Sequence, residues 1–183
     1  MHVDMTDLED VRLFRPTPFR DARGFFTRTF DAEVAAAHGI DGASFVQDSQ
    51  SRSTYATLRG LHGRSGAGEA KLVRCAHGAI LDVIVDARPE SPTYGRHQAF
   101  RLDDEDFVTL YVPRGFLHGF QVLSEVADIC YRIDRAHDPA EDLSVRYDDP
   151  DLAIAWPLPV GTLSPRDRSA GSWRELAGGH VGV

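Results

Sequence analysis

KLVRC at 71–75, then His77-Gly78, then AILDVIV at 79–85, closed by Asp86-Ala87-Arg88-Pro89, is the stretch that decides the fold. In 71–75, Leu72 and Val73 fall on opposite faces if the segment is extended. The 79–85 run is rich in β-branched and aliphatic residues and bounded by turn residues, so it reads as a strand. Working outward, strands are expected at 11–14, 25–30, 44–48, 98–102, 108–112, 119–123 and 127–133. Turn chemistry separates them, as in Ser91-Pro92-Thr93-Tyr94-Gly95 and Pro113-Arg114-Gly115. One short helix is expected over 33–37, with Asp31 as N-cap and Gly39 as its stop. Strands recurring about every ten to fifteen residues, without helical crossovers, point to an all-β sandwich or barrel. The polar tail from Asp134 is expected to wrap that barrel in short helices and irregular segments. From about residue 172 the Gly-rich end is expected to be poorly ordered.

The chain has 183 residues, which suits a single domain over 1–183. Its formal net charge of −8 argues against a nucleic-acid partner. A small anion is still acceptable, because a few arginines can dominate the field inside a cleft. Two cysteines, Cys75 and Cys130, make neither a disulfide framework nor a zinc pattern and suit a reducing compartment. The first residues, MHVDMTDLED, lack the apolar core of a signal peptide, and no apolar run reaches membrane-spanning length. The reading is a cytoplasmic protein with no membrane partner.

The chemistry concentrates in LRGLHGRSGAGEAKLVR, residues 58–74. Lys71 is the only lysine in the chain, in a sequence that otherwise uses Arg. Ammonium and guanidinium are not interchangeable at reactive sites, so Lys71 is a candidate functional cation. His62 and His118 each sit in a Leu-His-Gly triplet after an Arg-Gly pair, read as points where a strand meets a Gly turn. The remaining histidines read as solvated or turn residues. No H-x-H occurs, and Arg64 beside His62 would repel a cation. A two-His site from His62 and His118 lacks a carboxylate at ligand spacing, so no metal is expected. No nucleophile elbow, Walker loop or dinucleotide fingerprint appears. Arg23, Arg59, Arg74 and Arg114 lie near glycines and are candidates for phosphate recognition.

A collinear set of motifs runs nearly the whole length: Arg23-Gly24-Phe25-Phe26, Phe45-Val46-Gln47-Asp48, Leu58-Arg59-Gly60-Leu61-His62, Lys71-Leu72-Val73-Arg74, Asp86-Ala87-Arg88, Pro113-Arg114-Gly115-Phe116-Leu117-His118-Gly119-Phe120, Asp149-Pro150 and Leu163-Ser164-Pro165-Arg166-Asp167. In these the sequence resembles the dTDP-4-dehydrorhamnose 3,5-epimerase family. The resemblance implies a mainly β, cupin-type (jelly-roll) barrel with a few short helices. It implies a homodimer that uses no metal and no organic cofactor, acting on a dTDP-4-keto-6-deoxyhexose. By resemblance, His62 is the base, Asp167 orients it, Lys71 lies near the keto oxygen and Tyr131 is the acid. Arg23, Gln47 and Arg59 fall on positions at or near the nucleotide diphosphate, and His118 lines the pocket.

Three positions depart from the family pattern around the sugar: Gly63, where an aromatic is usual, Ser49 in place of Asn, and His137 in place of a second tyrosine. They suggest epimerisation chiefly at C3, in a secondary-metabolite sugar pathway. The competing readings are a dTDP-sugar 3,4-ketoisomerase, a non-catalytic sugar-binding cupin and a metal-dependent cupin oxygenase.

Overall fold

The computed structural model describes residues 1–179. The chain opens with β1 (His2–Met5), β2 (Arg12–Arg15) and a hairpin of β3 (Phe19–Asp21) and β4 (Gly24–Phe26), then α1 (Ala32–Ala37). The central strands are β5 (Gln47–Thr54), β6 (Leu58–Arg64), β7 (Lys71–His77), β8 (Ala79–Asp86), β9 (His97–Asp103), β10 (Thr109–Val112), β11 (Phe116–Val122) and β12 (Val126–Ile133). A short β13 (Asp142–Ser144) and two helices, α2 (Pro165–Arg168) and α3 (Trp173–Gly179), complete the described residues.

Two antiparallel sheets form the barrel, one ordered β1-β2-β10-β7-β12-β5 and the other β13-β6-β11-β8-β9. Their facing surfaces close over one core. Val73, Leu110 and Ile129 come from the first sheet, and Ile80, Ile84, Leu102 and Phe120 from the second. The second sheet is covered on its other face too, where Leu61, Val85 and Leu117 pack against Val145, Leu152 and Trp173 of the C-terminal segment. A strand buried on both faces needs apolar residues at successive positions, which is why 79–85 reads as a continuous run rather than an alternation. On the first sheet the outer face is covered by α1, with Ala35 and Ile40 against Phe14 and Leu72. Asp31 caps that helix by accepting from the Glu33 and Val34 N–H groups, as the sequence indicates.

Several expectations need correction. The segment read as a strand at 44–48 is a 3₁₀ turn over Gly42–Ser44 followed by the longer β5. β5 reads QDSQSRST and has no apolar face, so hydrophobic periodicity gave no sign of most of it. The strand read at 25–30 covers only the short β4, and β1, β3, β6 and β13 have no counterpart among the expected strands. His62 and His118 are not at strand ends: each lies inside its strand, β6 and β11, at directly paired positions. The end expected to be poorly ordered from about 172 instead forms α3 over 173–179. Trp173 there is only 8% exposed, and its N–H donates to Asp149 Oδ2 at 2.9 Å. Residues 180–183 lie outside the described residues.

Candidate active site

Antiparallel pairing of β6 with β11 puts His118 opposite His62, on the same face of the sheet. That close approach depends on glycine: a Cβ at Gly60, where φ is +117°, would lie 2.5 Å from Gly119 Cα. On the other side of β6, Ser144 of β13 pairs with His62. α2 is pinned to β13 by Arg166, whose guanidinium donates to Ser144 Oγ (2.9 Å) and Asp142 Oδ2 (2.9 Å). Ser164 caps α2 by accepting from the Asp167 N–H at 3.1 Å. These contacts deliver Asp167 to His62, 105 positions earlier, where His62 Nε2 and Asp167 Oδ1 share a short hydrogen bond.

Asp167 is buried while the His62 ring is about one-third exposed. Burial pushes the Asp167 carboxyl up. The His62 hydrogen bond and charge, with the Ser164 hydroxyl and Gly60 N–H, outweigh it and hold the group below the usual carboxylate range. The exposed side of His62 faces an open cleft of about 290 Å³. Gln47 and Ser49 of β5 form one wall. Gly63, Arg64, Glu69 and Lys71 line it around His62, and Ile133, His137, Asp142 and Arg166 complete the rim.

Tyr131 lies deeper in the barrel. Its hydroxyl is 3.1 Å from Ser51 Oγ and its ring stands edge-on to His118 at 6.3 Å. Burial pushes the Tyr131 phenol well up. The nearby Asp82 charge adds to this, while the Ser51 hydrogen bond and the Arg59 charge act against it. His118 and Asp82 form a second, buried His–carboxylate pair, with Nε2 2.8 Å from Asp82 Oδ2. Arg59 leans on β5, donating from Nε to Ser53 Oγ at 2.9 Å.

Of the residues expected in the site, His62, Lys71, Gln47, Ser49 and His137 meet at the cleft, with Asp167 directly behind His62. Tyr131, His118 and Arg59 do not line that cleft: Tyr131 and His118 meet edge-on inside the barrel, and Arg59 is exposed and reaches Ser53 of β5. Arg23 is not brought there. It sits at the tip of the β3–β4 hairpin, 88% exposed, paired with Asp21 at 2.6 Å, beside Phe19, Phe25 and Phe26. Gly63 also differs from expectation. A Cβ there would meet Leu117 Cδ2 at 2.8 Å, so a side chain would point away from the face on which His62 projects. Sequence reasoning missed Glu69, Asp82, Ser51, Asp142 and Arg166. None of them stands out locally in the sequence: Glu69, for one, is an acid in a Gly-rich loop just ahead of the strand that carries Lys71.

Comparison with known proteins identifies the family. A family profile described as dTDP-4-dehydrorhamnose 3,5-epimerase matches residues 5–175. The chain belongs to the dTDP-4-dehydrorhamnose 3,5-epimerase family. It is 41% identical over 179 residues to the Escherichia coli (strain K12) enzyme of that name, covering 96% of each chain. Among solved structures it is similar to NovW, a 4-keto-6-deoxy sugar epimerase from the novobiocin gene cluster of Streptomyces spheroides. There the TM-score is 0.94 and the identity 36%, covering 99% of this chain and 92% of that one. It is also similar to ChmJ, a 3′-monoepimerase from Streptomyces bikiniensis solved with dTDP-quinovose. In that case the TM-score is 0.86 and the identity 34%, covering 96% and 88%. Family membership agrees with the cupin-type β fold. Among the described residues no group of three or more His, Cys, Asp or Glu side chains is placed to hold a metal ion. No helix among them is long and apolar enough to cross a membrane.

Proposed function

We propose that this member of the epimerase family inverts C3 of a dTDP-4-keto-6-deoxyhexose using its own side chains and no cofactor. The observation that carries the reading is the His62–Asp167 pair opening onto a cleft that also holds Lys71. A proton α to a ketone needs a base of near-neutral pKa, and a carboxylate-held imidazole is one. With Nε2 committed to Asp167, His62 Nδ1 is the nitrogen that takes the proton. The enolate oxygen that forms is stabilised by Lys71, a preorganised cation in a largely buried position. Tyr131 returns a proton to the opposite face. Its phenol is protonated at physiological pH, as an ordinary tyrosine is, and so has a proton to give. Gln47, Ser49 and His137 contact the sugar or its linkage, Arg59 and His118 the inner pocket.

The chain acts as a homodimer in this reading. Phe19, Phe25 and Phe26 are 64%, 54% and 74% exposed on the hairpin that carries Arg23. A second copy over that apolar hairpin would bury it and bring Arg23 to the diphosphate. The two free cysteines fit a reducing, cytoplasmic setting.

The test is proton NMR of dTDP-4-keto-6-deoxyglucose with the enzyme in heavy water. Deuterium at C3 alone supports the reading, and deuterium at both C3 and C5 establishes a double epimerase instead. Bound substrate with no exchange at either carbon overturns the catalytic assignment. Tyr131→Phe should still exchange the C3 proton but accumulate little inverted product, because it removes the acid and leaves the base.

A further inference from the structure

We infer that Glu69 is the positioning residue for Lys71, and that Arg64 holds Glu69 in turn. The inference rests on the role proposed for Lys71 and adds the machinery that makes that role possible. Lys71 Nζ lies 2.9 Å from Glu69 Oε1, and Arg64 Nε lies 2.7 Å from Glu69 Oε2. The Arg64 contact is too bent to count as a hydrogen bond and acts as an ion pair. All three side chains are nearly enclosed, at 4%, 8% and 12% exposure for Arg64, Glu69 and Lys71, yet all three line the cleft beside His62.

A lysine ammonium on its four-carbon stem is free to wander, and a donor aimed at a developing oxyanion must not. The backbone around Lys71 is already fixed, since its Cα is paired with Val112 on one side and Ile133 on the other. What remains free is the side chain, and the Glu69 carboxylate is the group that restrains it. Glu69 is itself set by a rigid loop. The Ser65 N–H donates to Glu141 O at 2.9 Å, Arg135 donates to Gly68 O at 3.0 Å, and the Ala70 N–H donates to Asp134 Oδ1 at 2.8 Å. Arg64 ties the same wall down by donating to Asp138 O at 3.1 Å. One lysine would be enough to neutralise one carboxylate. The second cation makes Glu69 a bridge and leaves the cluster, with two positive groups and one negative, one net positive charge facing the cleft.

The experiment compares Glu69→Gln, the double variant Arg64→Gln/Glu69→Gln and Lys71→Met by C3 deuterium exchange, with thermal melts and dTDP binding by calorimetry alongside. The double variant leaves one enclosed cation without its carboxylate where Glu69→Gln alone leaves two, so it keeps the question answerable if Glu69→Gln alone folds poorly. Misplacing a reacting group by about 1 Å costs up to roughly 10²-fold. Expected is a fall in kcat of about 10–100-fold in the double variant, with KM and dTDP affinity within about twofold of wild type. Glu69→Gln should lie between wild type and the double variant, because Arg64 is still present to hold the side chain at position 69. If Lys71→Met is inactive while the double variant keeps wild-type kcat, Glu69 does not position Lys71 and the inference falls alone. If Lys71→Met is fully active, the proposed role of Lys71 falls and takes the inference with it.

Discussion

His62 and Asp167 meet across 105 positions of chain, and the carboxylate arrives almost wholly buried. Its folded pKa is depressed, because the imidazole and its other hydrogen-bond donors outweigh the cost of burial. A depressed carboxylate contributes stability that is present above its unfolded value, about 3.9 for Asp, and is lost as pH falls through the lower folded value. The melting-temperature gap between wild type and Asp167→Asn should therefore be full near neutral pH and shrink below about pH 4. Circular-dichroism melts across that range would show it, and a pH-independent gap would refute it. The same variant should lose roughly 10²–10⁴-fold in exchange rate through the base it orients. At this scale the sequence was most informative where a residue type was rare or a motif specific, as with Lys71 and His62. Glu69 stayed hidden because an acid in a Gly-rich loop is ordinarily a solvated charge. Nothing local to it announces two buried cations as its partners.

Among the elements, the turn after β8 shows a motif whose role is support. Asp86 is fully buried and accepts from Arg88 Nη2 (2.7 Å), Ser91 Oγ (2.6 Å) and Thr93 Oγ1 (2.6 Å). The Asp-Ala-Arg and Ser-Pro-Thr pieces of the sequence thus build one network that closes the β8–β9 connection. Asp86→Ala takes the acceptor from the Ser91 and Thr93 hydroxyls while Arg88 keeps Asp10, so it should cost about 1–3 kcal/mol of unfolding free energy. Urea melts would measure that, while the KM of any variant that folds should not move. Strand existence was readable where strands are buried on both faces, as β8 and β11 are. It failed at β5 because that strand turns Gln47 and Ser49 toward the cleft, where a ligand and water replace a hydrophobic core. The same physics that makes a strand useful for binding erases its sequence pattern. α3 was missed for the opposite reason: its anchoring comes from Asp149 and Tyr94, far away in sequence.

For the whole molecule, the hairpin is the feature a single copy leaves unexplained. Phe26 is 74% exposed, while Phe25 stacks partly on Phe107 at 4.4 Å. If a second copy covers this surface, Phe26→Ser should shift the sedimenting species from two chains to one at micromolar concentration. Substrate affinity should fall with it, because Arg23 would leave the partner's diphosphate. A Phe26→Ser protein that stays dimeric would place the interface elsewhere. The barrel architecture was legible from strand spacing. The separation of Arg23 from the cleft was not, because spacing carries no information about where a hairpin tip comes to lie.

The position of Asp167 has a consequence for how the protein is made. The last barrel strand ends at Ser144, but the carboxylate that orients His62 comes only with α2. On the proposed mechanism a chain that stops at Ser144 lacks the carboxylate behind His62, and it also leaves Leu61, Val85 and Leu117 on the outer face of the second sheet uncovered. Completing the chemistry and completing the fold are thus the same late event, the docking of the C-terminal segment.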